Sequence, residues 1–379
     1  MYIDYKHRIF GLDVVRATAI LFVLISHSTF LLFPTQNNFI ITFIRFFGTI
    51  GVDLFFVLSG FLIGRIILKQ LQQEKTSFND LFYFWIRRWF RTLPNYFLIL
   101  ILNIFLFFIL YGEVIHGLGY YFVFLQNFTA EQPDFFTESW SLSIEEYAYI
   151  IGPLLLYLFL FVFKKISKNK LFLLITLMII CLITFFRYQF HLQVTILTDH
   201  EWSQQLRKVV VFRIDSIYYG FIGAFISVNY NSIWLKFKNW SFMSGILMFF
   251  GMHIIIFWFN LFPENALLFY NMFYLPLVSI SLLMFFPLCS SWVSGGLLKK
   301  TITSISVLSY AVYLINYSIV LLTIQYFIDL EDTSNLIKFS VLILFWFLTF
   351  CLSYVLYVFF EKPTTDLRDL PIIKQKLEE

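Results

Sequence analysis

The chain has 379 residues, 60% hydrophobic and 13% charged, with 52 Phe, 22 Tyr, a formal net charge of +4 and a mean hydropathy of +0.79. A water-soluble fold of this length needs far more polar surface, so that class is excluded, as is an outer-membrane barrel, whose strands alternate polar and apolar residues. Continuous apolar runs of about 20 residues have the length of membrane-spanning helices instead.

In chain order the runs predict about ten spans, at residues 12–33, 48–68, 93–111, 144–163, 171–190, 209–228, 241–260, 267–288, 304–326 and 337–360. The expected fold is an all-α polytopic membrane helical bundle. It forms one domain over residues 1–379, with a core at about 10–363 and a short cytoplasmic tail at 364–379. The stretch 115–128 is too short to cross comfortably and is expected to lie in the interface or re-enter. Arg16 interrupts the first run and no small-residue cleavage site follows His27, so this run is expected to be a retained span rather than a signal peptide. Cys181, Cys289 and Cys351 all fall inside apolar runs and read as packing residues.

Cytoplasmic loops retain Lys and Arg. Placing the N-terminus inside puts most of the 27 Lys and Arg on that side, among them Lys6 and Arg8, the Arg87–Arg91 group, Lys164 to Lys170, Lys299, Lys300, Lys374 and Lys376. Both termini are therefore expected to be cytoplasmic.

Charges inside apolar runs are costly, so they mark the interior of the bundle. Asp13, Arg16 and His27 sit on the first span. Arg16 and His27 are eleven residues apart, which puts them within roughly 20° of one helix face and about 16 Å apart in rise, while Asp13 is one turn from Arg16 and able to pair with it. The plainer reading is a satisfied Asp13–Arg16 pair and an interfacial His27 capped by Ser26 or Ser28. The second span carries Asp53 and Ser59 in "GVDLFFVLSGFLI", with Gly51, Gly60 and Gly64 allowing close helix approach. Arg87, Arg88 and Arg91 precede the third predicted span, with Pro94 in its first turn. Such guanidinium forks suit phosphate, or simply anionic lipid. Trp140, Ser141, Glu145 and Glu146 open the fourth span, where the helix dipole favours carboxylates, and a carboxylate there could instead orient an imidazole. Arg213 and Asp215 form a further polar spot on a greasy span. The six His residues are scattered, so no metal site is expected. Nothing in the charge pattern points to nucleic acid.

The Arg16–His27 spacing, "GVDLFFVLSGFLI" (51–63), "RRWFRTLP" (87–94), "WSLSIEE" (140–146) and "EKP" (361–363) occur in an order that resembles the acyltransferase-3 family of integral membrane acyltransferases. The resemblance implies O-acylation, commonly acetylation, of an extracytoplasmic carbohydrate such as O-antigen, capsule or peptidoglycan. It also implies acetyl-coenzyme A as donor, a bacterial inner membrane, and an acceptor that could be lipid-linked. Carried over by match, His27 is the catalytic histidine, Arg16 its motif partner, Glu145 the motif glutamate, and Arg87, Arg88 and Arg91 a cytoplasmic donor-binding element. Asn316 stands where many relatives have His, which leaves no second histidine on that span. The secreted esterase-like domain of some relatives is not expected, so the chemistry falls to the membrane domain. A transporter or flippase for a lipid-linked saccharide is the competing class, since buried charges also line polar pathways. The lack of an apparent inverted repeat and the gathering of Arg at one mouth disfavour it.

Overall fold

The computed structural model describes residues 8–36, 38–113, 115–331 and 333–368. Lys6, Lys374, Lys376 and the end of the predicted tail lie outside the described residues. Among the described residues ten helices are long and apolar enough to cross a membrane, one for each predicted span, and there is no strand. They are α1 (Phe10–Leu32), α2 (Phe39–Gln72), α3 (Phe78–Tyr111), α4 (Ser139–Val162), α5 (Lys168–Gln193), α6 (Val210–Asn229), α7 (Lys238–Trp258), α8 (Pro263–Ser291), α9 (Gly296–Phe327) and α10 (Asn335–Leu367).

Several helices outrun the apolar stretches that reveal them. α2 and α3 have 34 residues each, about 51 Å at 1.5 Å per residue, against a hydrocarbon core of about 30 Å. α3 begins well before residue 93 because Ser77 and Asp80 cap it reciprocally: the Asp80 N–H donates to Ser77 Oγ (3.2 Å) and the Ser77 N–H to Asp80 Oδ2 (2.9 Å). Arg87, Arg88, Arg91 and Pro94 therefore lie inside α3, not ahead of it, which corrects the sequence expectation. Hydropathy registers only the greasy half of such a helix. At the far end, α10 runs through a π-helical segment, Tyr357–Glu361, to Leu367, so residues 364–367 belong to a helix rather than to a tail. The stretch 115–128 holds only the short helix Leu118–Phe122 and turns.

α2, α6 and α9 are the most enclosed helices, whereas α7 and α10 show most of their surface outward. α2 and α6 cross in near backbone contact. A Cβ added at Gly60 would stand 1.8 Å from the Ile217 carbonyl oxygen, and one at Gly220 would stand 2.3 Å from that of Val57. Small residues at a crossing permit this approach in lipid, as Gly60 predicts. α1 packs on both α2 and α9, which brings its polar face against theirs.

Candidate active site

The polar face of α1 begins at Asp13. This buried carboxylate binds Arg8 (Nε to Oδ2, 3.0 Å), Ser306 Oγ (2.8 Å) and Thr303 Oγ1 (3.3 Å), whereas Arg16 Nη1 is 3.8 Å away and also reaches Ser306 (3.4 Å). The pairing expected with Arg16 is thus secondary. Asp13 chiefly clamps the start of α1 to α9.

Arg8 and Arg16 open onto a cavity of about 930 Å³ that enters the bundle from this end. Its wall follows α2 from Gln72 to Val52, roughly 30 Å of helix rise. Among the described residues eight cationic side chains line it, Arg8, Arg16, Arg65, Lys69, Arg87, Arg88, Arg91 and Arg368, against two carboxylates, Asp13 and Glu145. Arg87, Arg88 and Arg91 come together because spacings of three and four residues share one face of α3. Farther in, the lining changes to Val52, Phe55, Phe56, Ser59, Ser141, Leu142 and Tyr313. The cavity is a funnel, basic at its mouth and aromatic at its floor.

Glu145 belongs to the funnel wall. It accepts from Arg88 Nη2 (2.6 Å), Ser59 Oγ (2.6 Å) and the Tyr149 hydroxyl, and the Arg88 guanidinium lies 4.1 Å over the Tyr149 ring. It does not contact His27, so the idea that it orients the imidazole is not what the geometry provides. Glu145 aims Arg88 instead. Glu146, one residue on and turned about 100° around the helix, accepts from Thr92 (3.1 Å).

His27 is held elsewhere. Its Nδ1 is hydrogen-bonded to Asn316 Oδ1, and its ring packs 4.8 Å from that of Tyr317. The Asn316 amide donates to the Val312 (2.8 Å) and Tyr313 (2.9 Å) carbonyls, so its oxygen must be the atom facing the imidazole. The proton then sits on Nδ1, leaving Nε2 with a free lone pair. Ser26 and Ser28, the expected caps, turn instead to the Arg45 and Leu24 carbonyls. His27 does not line the cavity. The cavity stops at Tyr313, whose hydroxyl is bonded to Ser141 Oγ (2.7 Å) and donates to the Glu138 carbonyl (3.2 Å). Asn316 follows three residues later.

Two buried pairs lie across helices. Asp53 binds Arg213, and Asp215 binds Arg187 (2.6 Å), all four buried, so the polar spot at Arg213 and Asp215 extends through each residue to a partner on a neighbouring helix. The Arg213 guanidinium lies 5.6 Å over Phe56, in the cavity floor, and Arg207 lies 5.0 Å over Trp140. Trp140 meets Phe56 edge-on.

Sequence reasoning missed Tyr313 and gave Asn316 no role beside His27. Both belong to a polar stripe, Ser306, Ser309, Tyr310, Tyr313 and Asn316, whose three- and four-residue steps are visible in the sequence. Arg187, a lone cation in an apolar run, was the available signal for the partner of Asp215.

Residues 9–358 match the acyltransferase domain family. Over 189 residues the chain is 32% identical to a Bacillus subtilis protein provisionally named a peptidoglycan O-acetyltransferase, covering 45% of this chain and 27% of that protein. It is 34% identical over 139 residues to the peptidoglycan O-acetyltransferase OatA of Listeria monocytogenes (32% and 21% covered), and 32% identical over 172 residues to a Staphylococcus aureus protein provisionally named an O-acetyltransferase (42% and 26% covered). The matches span about a quarter of the length of these relatives. No solved structure matches the chain. With its ten apolar helices and a match running over nearly all of its length, the chain belongs to the acyltransferase-3 family of integral membrane acyltransferases.

Proposed function

We propose that this protein is a membrane O-acyltransferase. It moves an acyl group, most simply acetyl, from cytoplasmic acyl-coenzyme A to a hydroxyl of an envelope carbohydrate beyond the bacterial inner membrane. The observation that carries this reading is the funnel, lined among the described residues by eight cations and continuing into an apolar and aromatic interior. That gradient suits a donor with a phosphate-rich head and a long, uncharged thioester arm. Guanidinium groups bind phosphate through two parallel hydrogen bonds, which is the work assigned to Arg87, Arg88 and Arg91. The funnel mouth then faces the cytoplasm, and both ends of the chain lie on that side.

The thioester arm runs past Arg16 and Ser59 to the floor. Tyr313 must swing aside, releasing Ser141 and the Glu138 carbonyl, before the acyl carbon comes within reach of His27. A closed floor keeps water from the thioester until the acceptor arrives. Nε2 of His27 takes the proton of the sugar hydroxyl while that oxygen forms its bond to the thioester carbonyl carbon. The C–S bond breaks, and the imidazolium returns the proton to the departing thiolate. Acetyl-coenzyme A carrying a radiolabelled acetyl group, given to membranes containing the protein, should place label in envelope glycan. A flippase or a purely structural partner leaves the glycan unlabelled.

A further inference from the structure

α9 is α-helical through Ile315, takes a π-helical turn over Asn316–Leu321, and resumes as an α-helix. A π turn carries an extra residue, rotates the side chains within it and releases backbone groups from the regular ladder. Here the main chain and the side chain of Ser318 share one recipient. The Ser318 N–H donates to Glu138 Oε1 (3.2 Å) and the Ser318 hydroxyl donates to Glu138 Oε2 (2.5 Å).

Glu138 immediately precedes α4 and is buried. Among the described residues it forms no ion pair, and this costly buried carboxyl is taken up by Ser318 and its own main-chain N–H. Its own carbonyl accepts from Tyr313 (3.2 Å). With the floor closed, Glu138 holds α9 on both sides of Asn316, three residues before it through the main chain and two residues after it through the side chain, and the side-chain grip stays when Tyr313 swings aside. Between these grips Asn316 presents Oδ1 to Nδ1 of His27.

We propose that Glu138 is a positioning residue for His27: by fixing Ser318 it sets the π-helical register that aims Asn316 at the imidazole, and so keeps the proton on Nδ1 and Nε2 free. It touches neither donor nor acceptor. The inference rests on the reading of His27 as the base.

The test uses full-length protein in lipid nanodiscs carrying ¹⁵N-labelled histidine, with the His27 signals assigned by their loss in His27→Asn. In the wild type His27 shows the Nδ1–H tautomer. Glu138→Ala mixes the tautomers and lowers kcat for acetyl transfer about tenfold to a hundredfold, with KM for acetyl-coenzyme A within about twofold. Glu138→Gln, whose carboxamide can accept from the Ser318 N–H and donate to its hydroxyl, restores both tautomer and kcat to within about threefold. If Glu138→Ala does not fold, Ser318→Ala removes the hydroxyl bond alone and gives the same shift in smaller degree. An unaltered His27 tautomer in Glu138→Ala, or in Ser318→Ala where that variant must serve, overturns the inference. So does a Glu138→Gln as defective as Glu138→Ala, which would mark a proton or charge role. If the tautomer follows Glu138 while no protein, wild type included, acetylates glycan, the acyltransfer reading falls and the positioning role stands.

Discussion

Asn316 gives its amide oxygen to Nδ1 of His27 and both of its amide hydrogens to the preceding turn of α9. An asparagine tied down in this way can serve its neighbour only as an acceptor. It thereby selects one histidine tautomer with no charge involved. The span that carries no second histidine is thus the span that orients the first.

Replacing Asn316 by Ala should lower kcat about tenfold to a hundredfold with little change in KM for the donor, because the ring loses its orienting acceptor while the funnel is intact. Steady-state kinetics on purified protein check this. Equal kcat at equal folded protein would remove Asn316 from the site.

Arg87→Ala and Arg91→Ala should each raise KM for acetyl-coenzyme A about tenfold, the scale of one charge-assisted hydrogen bond at about 1.5–3 kcal/mol, and leave kcat nearly unchanged. The effect should shrink with rising salt, since screening weakens phosphate contacts in the wild type as well. Unchanged KM in both variants would dissociate these arginines from the donor.

Arg187 and Asp215 form a fully buried pair. Removing one partner, as in Asp215→Ala, strands the other charge and should cost about 3–5 kcal/mol, whereas the double replacement Arg187→Leu with Asp215→Leu should recover most of it. Thermal unfolding in detergent measures both. A double variant less stable than either single one would contradict the pairing.

Glu138 lies outside the spanning helices, and burial pushes its carboxyl up to about 7, from an ordinary 4.5, against the lowering effect of the Ser318 bonds. A folded-state value above the unfolded one means that folding retains a proton. Stability from this group is therefore greatest below about pH 4.5, declines between about 4.5 and 7, and is level above. Glu138→Gln should remove that slope, so that its melting temperature falls less than that of the wild type between about pH 5 and 8. Parallel pH profiles for the two proteins would rule out the buried, protonated carboxyl.

The number of spans was legible in the sequence because lipid imposes a length of greasy helix, and each of the ten runs became one helix. Their ends were not, since the Ser77–Asp80 cap and the amphipathic first half of α3 carry no hydropathy signal. For the site, the sequence singled out polar side chains within the bundle but not most of the partners they meet. Asp13 and Arg16 were paired by helical proximity, and Arg16 does lie 3.8 Å from Asp13, but Arg8 and Ser306 hold that carboxylate more closely. Glu145 was matched to His27 by chemistry, yet it lies across the funnel with Arg88. Such pairings depend on which helices touch, and nothing local to a helix specifies that. The polar stripe from Ser306 to Asn316 was readable by periodicity. The π turn that aims its last member was not, because it depends on a carboxyl from α4's threshold.

Transfer of labelled acetyl from acetyl-coenzyme A to envelope glycan, compared between membranes containing the wild type and His27→Ala at equal amounts of inserted protein, bears on the central claim most directly. General-base catalysis is worth roughly 10²–10⁴-fold, so the variant should incorporate no more than about one hundredth of the wild-type label. Incorporation at the wild-type rate by His27→Ala would mean that the imidazole takes no part in the chemistry.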